Sequence, residues 1–283
     1  MNFKDRRGVG FAVIAAIYIL ATAGAIFLYR ALPFSFWLNL LIADAAATVF
    51  VFIFSVILKN ASVYDPYWSV QPPVILIACA FKAEMNAVRV LLLIAVCFWG
   101  VRLTANWAYT FHGLAHQDWR YTMLKEKTGK FYPVINFVGI HMVPTLVVYA
   151  CILPAVFAFE YEAAWNAGSV VFFLLSLGAA IMQGIADIQM QRFRKRKSGG
   201  FIRDGLWKYS RHPNYLGEIL MWWGVAGAVV SVMPSRWYLA VGALLNTLLF
   251  CFVSLPMAEK RQAKKDGFEK YKKQTRILLP IKK

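Results

Sequence analysis

The sequence predicts an all-α fold: a polytopic integral membrane bundle of seven to eight transmembrane helices. Three observations predict it. Of 283 residues, 60% are hydrophobic and 16% charged, where soluble globular domains sit near half and a quarter. Apolar runs recur along the whole chain at the length of about 20 residues that a helix needs to cross a bilayer. The bases, finally, are gathered between those runs. An aromatic content of 16% excludes a disordered chain. The formal charge of +17 would suggest nucleic acid in a soluble protein, but its placement makes it a topology signal. With no Gly- or Ser-rich linker and no repeat, residues 1–283 read as a single membrane domain.

Taken in order, the spans run Phe11 to Tyr29, Trp37 to Leu58, Val88 to Phe111, Val134 to Phe159, Gly168 to Asp187, Tyr215 to Met233 and Trp237 to Met257. The first has a basic start but no small-residue cleavage site after it, so it reads as a span and not as a signal peptide. A shorter stretch, Pro72 to Ala83, supplies an eighth crossing if its ends are extended. With eight spans and the N-terminus inside, 26 of the 31 Lys and Arg residues fall on the cytoplasmic side. The segment 160–166 opposite holds Glu160 and Glu162 and no base. By the positive-inside rule both termini are expected in the cytoplasm. The four cysteines lie inside apolar stretches without CxxC spacing and read as small hydrophobes.

Much chemistry is missing. There is no GxGxxG, no GxxxxGK[ST] and no Gly-x-Ser-x-Gly, so neither a dinucleotide-binding Rossmann unit nor a P-loop is encoded. His112 and His116 stand four apart, as on one helix face. Four histidines in all are too few for a membrane di-iron centre, and no metal is expected.

The informative segment is DIQMQRFRKRKSGGFIRDGLWKYSRHPNYLGEILMWWG, residues 187–224. A span ends at Asp187, a basic run follows, Gly199-Gly200 breaks the chain, and the next span opens at Pro213. Proline suits the first turn of a helix because its missing N–H has no partner there anyway. The free N–H groups and positive dipole end of such a helix favour an anion. Arg203, Lys208 and Arg211 flank that point, and Arg192 to Lys197 lie upstream. Asn214 and Glu218 are four apart on one face, with Trp222 a further turn on. An ionisable Glu218 in a membrane helix is costly unless it is used or paired.

SRHPNYLGE (Ser210 to Glu218), preceded by GLWKYS and followed by WWG, resembles the signature of membrane steroid 5-alpha-reductase-like proteins, and a related stretch occurs in sterol C14 and C7 double-bond reductases. The resemblance covers about residue 60 to 283 and leaves the N-terminal helices, residues 1–58, outside. It implies a helical bundle that binds NADPH in a cytoplasm-facing cavity and passes hydride to the C=C of a steroid-like or other lipidic enone. Residue by residue, it assigns Asn214, Glu218 and Trp222 to the nicotinamide and its ribose. Asp187 and Arg194 fall to the adenosine-side phosphates and ribose. Arg203, Tyr209, Arg211, His212 and Tyr215 join the cofactor set, with Arg261 in the closing tail over the dinucleotide. The implied partners are a lipophilic small molecule and membrane lipid.

A second match surrounds Asp65, in YDPYWSVQP (Tyr64 to Pro72). There the family has a glutamate that acts with a tyrosine of the next helix to polarise the substrate ketone. The resemblance thus makes Asp65 and Tyr64 the catalytic candidates. Trp99 falls where the partner tyrosine is expected, and an indole is only a neutral donor. Tyr64, Tyr67 and Tyr109 are the phenols left to supply it. An Asp-Pro turn at the membrane face is the plainer account of Asp65. Asp44, inside the second span, is an intramembrane carboxylate without an assigned role.

Two other classes compete. S-adenosylmethionine-dependent membrane methyltransferases of the isoprenylcysteine or phospholipid type share R-H-P-x-Y-x-G. Asn214, Glu218 and the large basic cluster suit a phosphate-bearing dinucleotide better. A membrane scaffold or transporter is the non-enzymatic alternative, but inverted repeats are missing from the sequence.

Overall fold

A computed structural model describes residues 3–162, 164–196 and 199–280. Seven of its helices are long and apolar enough to cross a membrane: Arg7–Ala31, Phe36–Ile57, Ala87–Thr110, Trp119–Glu160, Ala167–Lys195, Pro213–Val232 and Pro234–Gln262. The protein is therefore a multi-pass helical membrane protein. Helix is favoured because a backbone in lipid has no water to bond and satisfies itself only within its own turns. The elements used below are α1 (Arg7–Ala31), α2 (Phe36–Ile57), α3 (Tyr67–Ala80), α4 (Ala87–Thr110) and α5 (Trp119–Thr128). They continue with α6 (Val143–Glu160), entered through a π-helical stretch Ile135–Met142, α7 (Ala167–Lys195) and α8 (Pro213–Val232). The stretch from Pro72 on lies in α3, which has only 14 residues. At 1.5 Å per residue that is about 21 Å, short of the roughly 30 Å hydrocarbon core.

The chain divides into two compact units, Met1–Lys82 with Leu103–Tyr149, and Ala83–Arg102 with Ala150–Lys283. In the first, Ile14, Ile17 and Ala21 of α1 pack with Ala47 and Val51 of α2, and Val63, Tyr64, Tyr67, Phe111 and Leu114 complete the cluster. The link between α2 and α3 is shaped locally. Lys59 turns the chain at φ 53°. Asn60 then caps a 3-10 turn, Ala61–Tyr64, by accepting from the Ser62 N–H at 2.8 Å. Asn60 also donates to the carbonyls of Leu114 (2.7 Å) and His116 (3.0 Å), and Ser62 Oγ accepts from the Asp118 N–H at 2.8 Å. These bonds seat the residues before Asp65 against the start of α5.

In the second unit, α7 and α8 form an antiparallel pair: Gly217 lies against Ala179 and Gln183, Gly224 against Phe172 and Ser176. A Cβ at Gly224 would stand 2.7 Å from Ser176 Cβ. Small residues of this kind let membrane helices approach closely where the hydrophobic effect offers no drive. An Asn166–Ser169 capping box starts α7, and Pro213 occupies the first turn of α8.

Candidate functional site

In the second unit the α8 face predicted from spacing is the floor of a buried polar network. Glu218, 5% exposed, accepts from Trp99 Nε1 at 2.8 Å, Trp222 Nε1 at 2.9 Å and Gln183 Nε2 at 3.1 Å. Gln183 accepts in turn from Arg102, which pairs with Asp187 at 2.6 Å. One guanidinium thus stands between two carboxyl groups, joined by an amide. Trp99, expected from the resemblance where a tyrosine would stand, serves Glu218 and packs edge-on to Trp222 at 4.8 Å. Asn214 Oδ1 is buried and has no hydrogen-bond partner, an open acceptor one turn before Glu218.

Arg211 and His212 face elsewhere. Arg211 makes a bidentate pair with Glu259, Nε to Oε1 at 3.1 Å and Nη2 to Oε2 at 2.8 Å. His212 Nε2 meets Glu259 Oε1 at 2.7 Å. The Arg211 guanidinium also donates to the carbonyls of Lys272 and Thr275, and its backbone N–H to the Arg276 carbonyl at 3.0 Å. Both side chains therefore clamp the closing segment. Tyr215 packs on His212 (5.2 Å) and Phe250 (5.0 Å). Glu259 is a residue the sequence reading passed over. Its signal was a lone carboxylate ending an apolar run.

The remaining bases line the surface. Arg192, Arg194, Lys195, Arg196, Arg203, Lys208 and Arg261 are exposed, as is Tyr209, while Lys197 lies outside the described residues. Burial, then the charges of Arg261 and Arg194, push the Lys265 amine below its ordinary pKa. Arg194 and Arg261, reached from opposite ends of the sequence, thus share one cationic neighbourhood with Lys265, the surroundings a phosphate neutralises.

In the first unit Asp65 lines a cavity of about 440 Å³ with Trp68, Asn106, Trp107, His116 and Arg120. The Tyr121 hydroxyl donates to Asp65 Oδ1 at 2.5 Å. Burial raises the Asp65 carboxyl to about 6, against the opposing charge of Arg120. Arg120 itself pairs with Asp118, the N-cap of α5, at 2.8 Å. Among the phenols considered from sequence, Tyr64 pairs with Thr145 Oγ1 at 2.7 Å, Tyr67 donates to Asp44 at 2.8 Å, and Tyr109 is exposed. The phenol on Asp65 is Tyr121, 56 residues away. Its only sequence trace is the polar break Gln117 to Arg120 before α5. His112 and His116 meet edge-on at 5.9 Å, and among the described residues no group of three or more His, Cys, Asp or Glu is placed to hold a metal ion.

Fold and site together define a polytopic helical membrane protein with a buried carboxylate network and a cationic surface. The chain belongs to the family described as "Protein of unknown function (DUF1295)", whose model matches residues 51–275. It is 25% identical over 251 residues to an uncharacterized protein of Schizosaccharomyces pombe, covering 77% of this chain and 70% of that protein. It is 32% identical over 114 residues to 3-oxo-5-alpha-steroid 4-dehydrogenase 1 of Macaca fascicularis, 40% of each chain. Against the Homo sapiens protein of the same name the figures are 33% over 98 residues, 34% of this chain and 35% of that one. The chain thus spans two fifths or less of these two dehydrogenases, to which it is distantly related. No solved structure matches.

Proposed function

We propose that the protein is an NADPH-dependent membrane reductase that saturates the C=C bond of a steroid-like or other lipidic enone. The observation that carries this is the Asp65–Tyr121 pair, a half-buried acid bonded to a buried phenol at 2.5 Å, with the acid on a cavity wall. The distant relationship to 3-oxo-5-alpha-steroid 4-dehydrogenases supports it. The residues present fit a dinucleotide phosphate. Asn214 Oδ1 is an orphaned buried acceptor, and the charges of Arg194 and Arg261 bear on the Lys265 amine.

When bound, NADPH supplies the hydride for the β carbon. Arg194, Arg203, Arg261 and Lys265 would hold its phosphates, and Asn214 Oδ1 would accept a hydrogen bond from it. Glu218, held by Trp99, Trp222 and Gln183, keeps the first turns of α8 in place around Asn214. Asp187, locked on Arg102, fixes the end of α7 that carries Arg194. Arg211 and His212 act through Glu259, holding the tail that presents Arg261 and Lys265.

At the substrate end, protonated Asp65 donates to Tyr121, freeing the phenol O–H for the carbonyl oxygen. A donor fixed on that oxygen stabilises charge as it develops. The α carbon then takes a proton from water or from this pair. The loops that carry the phosphate-binding bases are assigned to the cytoplasmic side, together with both termini, with α3 as the eighth crossing beside the seven candidate spans.

The test is purified protein in detergent with NADPH and a 3-oxo-4-ene steroid as probe. The expected outcome is NADPH consumption with a product heavier by two hydrogens, carrying deuterium when the nicotinamide C4 is labelled. Failure to bind NADPH, or tight binding of S-adenosylmethionine in its place, overturns the proposal.

A further inference from the structure

Asp44 lies inside α2 and is 4% exposed. Both of its carboxylate oxygens are filled: Tyr67 donates to Oδ1 at 2.8 Å and Gln71 Nε2 to Oδ2 at 2.8 Å. Both donors belong to the first turns of α3, which begins two residues after Asp65. A carboxylate within an apolar helix is costly, and two neutral donors offset that cost only in part. If the need were merely to join α2 to α3, apolar packing would do so without the penalty.

What a hydrogen bond adds is direction, and the phenols around Asp65 are held directionally. Tyr18 donates to the Val63 carbonyl at 2.7 Å. Tyr64 pairs with Thr145, which pairs with Thr48 at 3.0 Å. Tyr67 stacks on Tyr64 at 5.5 Å and meets Tyr18 edge-on at 5.5 Å. Asp44 supplies the ionisable anchor of this set. A 2.5 Å bond between Asp65 and Tyr121 tolerates little displacement, since hydrogen bonds weaken steeply with angle.

We propose that Asp44 is a positioning residue: through Tyr67 and Gln71 it fixes the start of α3 and so holds the Asp65 carboxyl on the Tyr121 hydroxyl. This deepens the proposed function and rests on Asp65 and Tyr121 being its substrate-facing pair. The groups facing Asp65 are Tyr121, Arg120 and Asp118 at α5, Tyr64 in its own segment and Tyr18 of α1. Those facing Asp44 are Tyr67, Gln71, Tyr64 and Tyr149.

The experiment is an infrared titration of the Asp65 carboxyl in the full-length protein in detergent, with the band assigned by its loss in Asp65→Asn. No substrate is needed. Asp44→Ala should lower the midpoint from about 6 toward the ordinary value near ~4 as water reaches a loosened carboxyl. Gln71→Leu, which leaves Asp44 and Tyr67 in place, should shift it the same way and carries the test if Asp44→Ala does not fold. Asp44→Asn keeps an acceptor for Tyr67 and an amide for Gln71, and should stay near the wild-type midpoint. An unchanged midpoint in both disruptive variants, with thermal unfolding lowered, makes Asp44 a plain structural tie and overturns the proposal. If the midpoints move as described while no enone is reduced, the reductase function fails and the positioning role stands.

Discussion

Tyr121→Phe removes one oxygen and leaves the ring that packs beside Ala61 and Ile140. The lost group is the donor at 2.5 Å to Asp65. Removing a donor that stabilises an oxyanion costs about 2.7–4 kcal/mol in the barrier, or about 10²–10³ in kcat. The pH dependence sharpens the expectation. In the proposed mechanism the active form needs a proton on Asp65, whose carboxyl burial raises to about 6. Turnover should therefore be level below that pH and fall about tenfold per unit above it. The Tyr121 hydrogen bond favours the ionised carboxyl, so Tyr121→Phe should move the break to higher pH while lowering the plateau. Asp65→Asn keeps a donor at every pH and should lose the break altogether. The assay is kcat against pH with NADPH saturating, on each purified variant. A break near 6 that survives in Asp65→Asn refutes the reasoning.

Other outcomes follow from the second unit. Arg194→Ala should weaken NADPH about ten- to a hundredfold and NADH far less, the loss of one charge-assisted contact to the extra phosphate; equal losses in a binding titration would assign Arg194 to the pyrophosphate. Glu259→Ala strands the buried Arg211 guanidinium, so thermal unfolding should show a loss of about 3–5 kcal/mol, and limited proteolysis should cut after Gly267. Gly224→Val forces a side chain into the Ser176 contact at 2.7 Å and should cost about 1–3 kcal/mol of stability by overpacking, with unchanged stability denying the close α7–α8 approach. With α3 as an eighth, short crossing beside the seven candidate spans, reporter fusions at residues 10, 162, 205 and the C-terminal end should place only 162 outside, in line with the basic segments.

What the sequence by itself determined is what depends on near neighbours along the chain. Apolar runs of sufficient length become helices because lipid leaves the backbone no other partner. Pro213 opens α8 because its ring fits only a first turn, and the fourfold spacing of Asn214, Glu218 and Trp222 is intrinsic to the helix. Length alone left open whether the stretch from Pro72 crosses, and the 14-residue α3 is shorter than the seven candidate spans. Partner choice is another matter. A carboxylate in an apolar run announces that it needs a donor, but the donor is selected by how helices pack. Glu218 took Trp99, 119 residues away, and Asp65 took Tyr121 over its neighbours Tyr64 and Tyr67, which were already bound to Thr145 and Asp44. Arg211 and His212, which the resemblance places in the cofactor set, are both held by Glu259. Tertiary structure decided these because burial makes an unpaired charge so costly that each takes the complementary group that packing brings within reach, and no local period encodes which one that is.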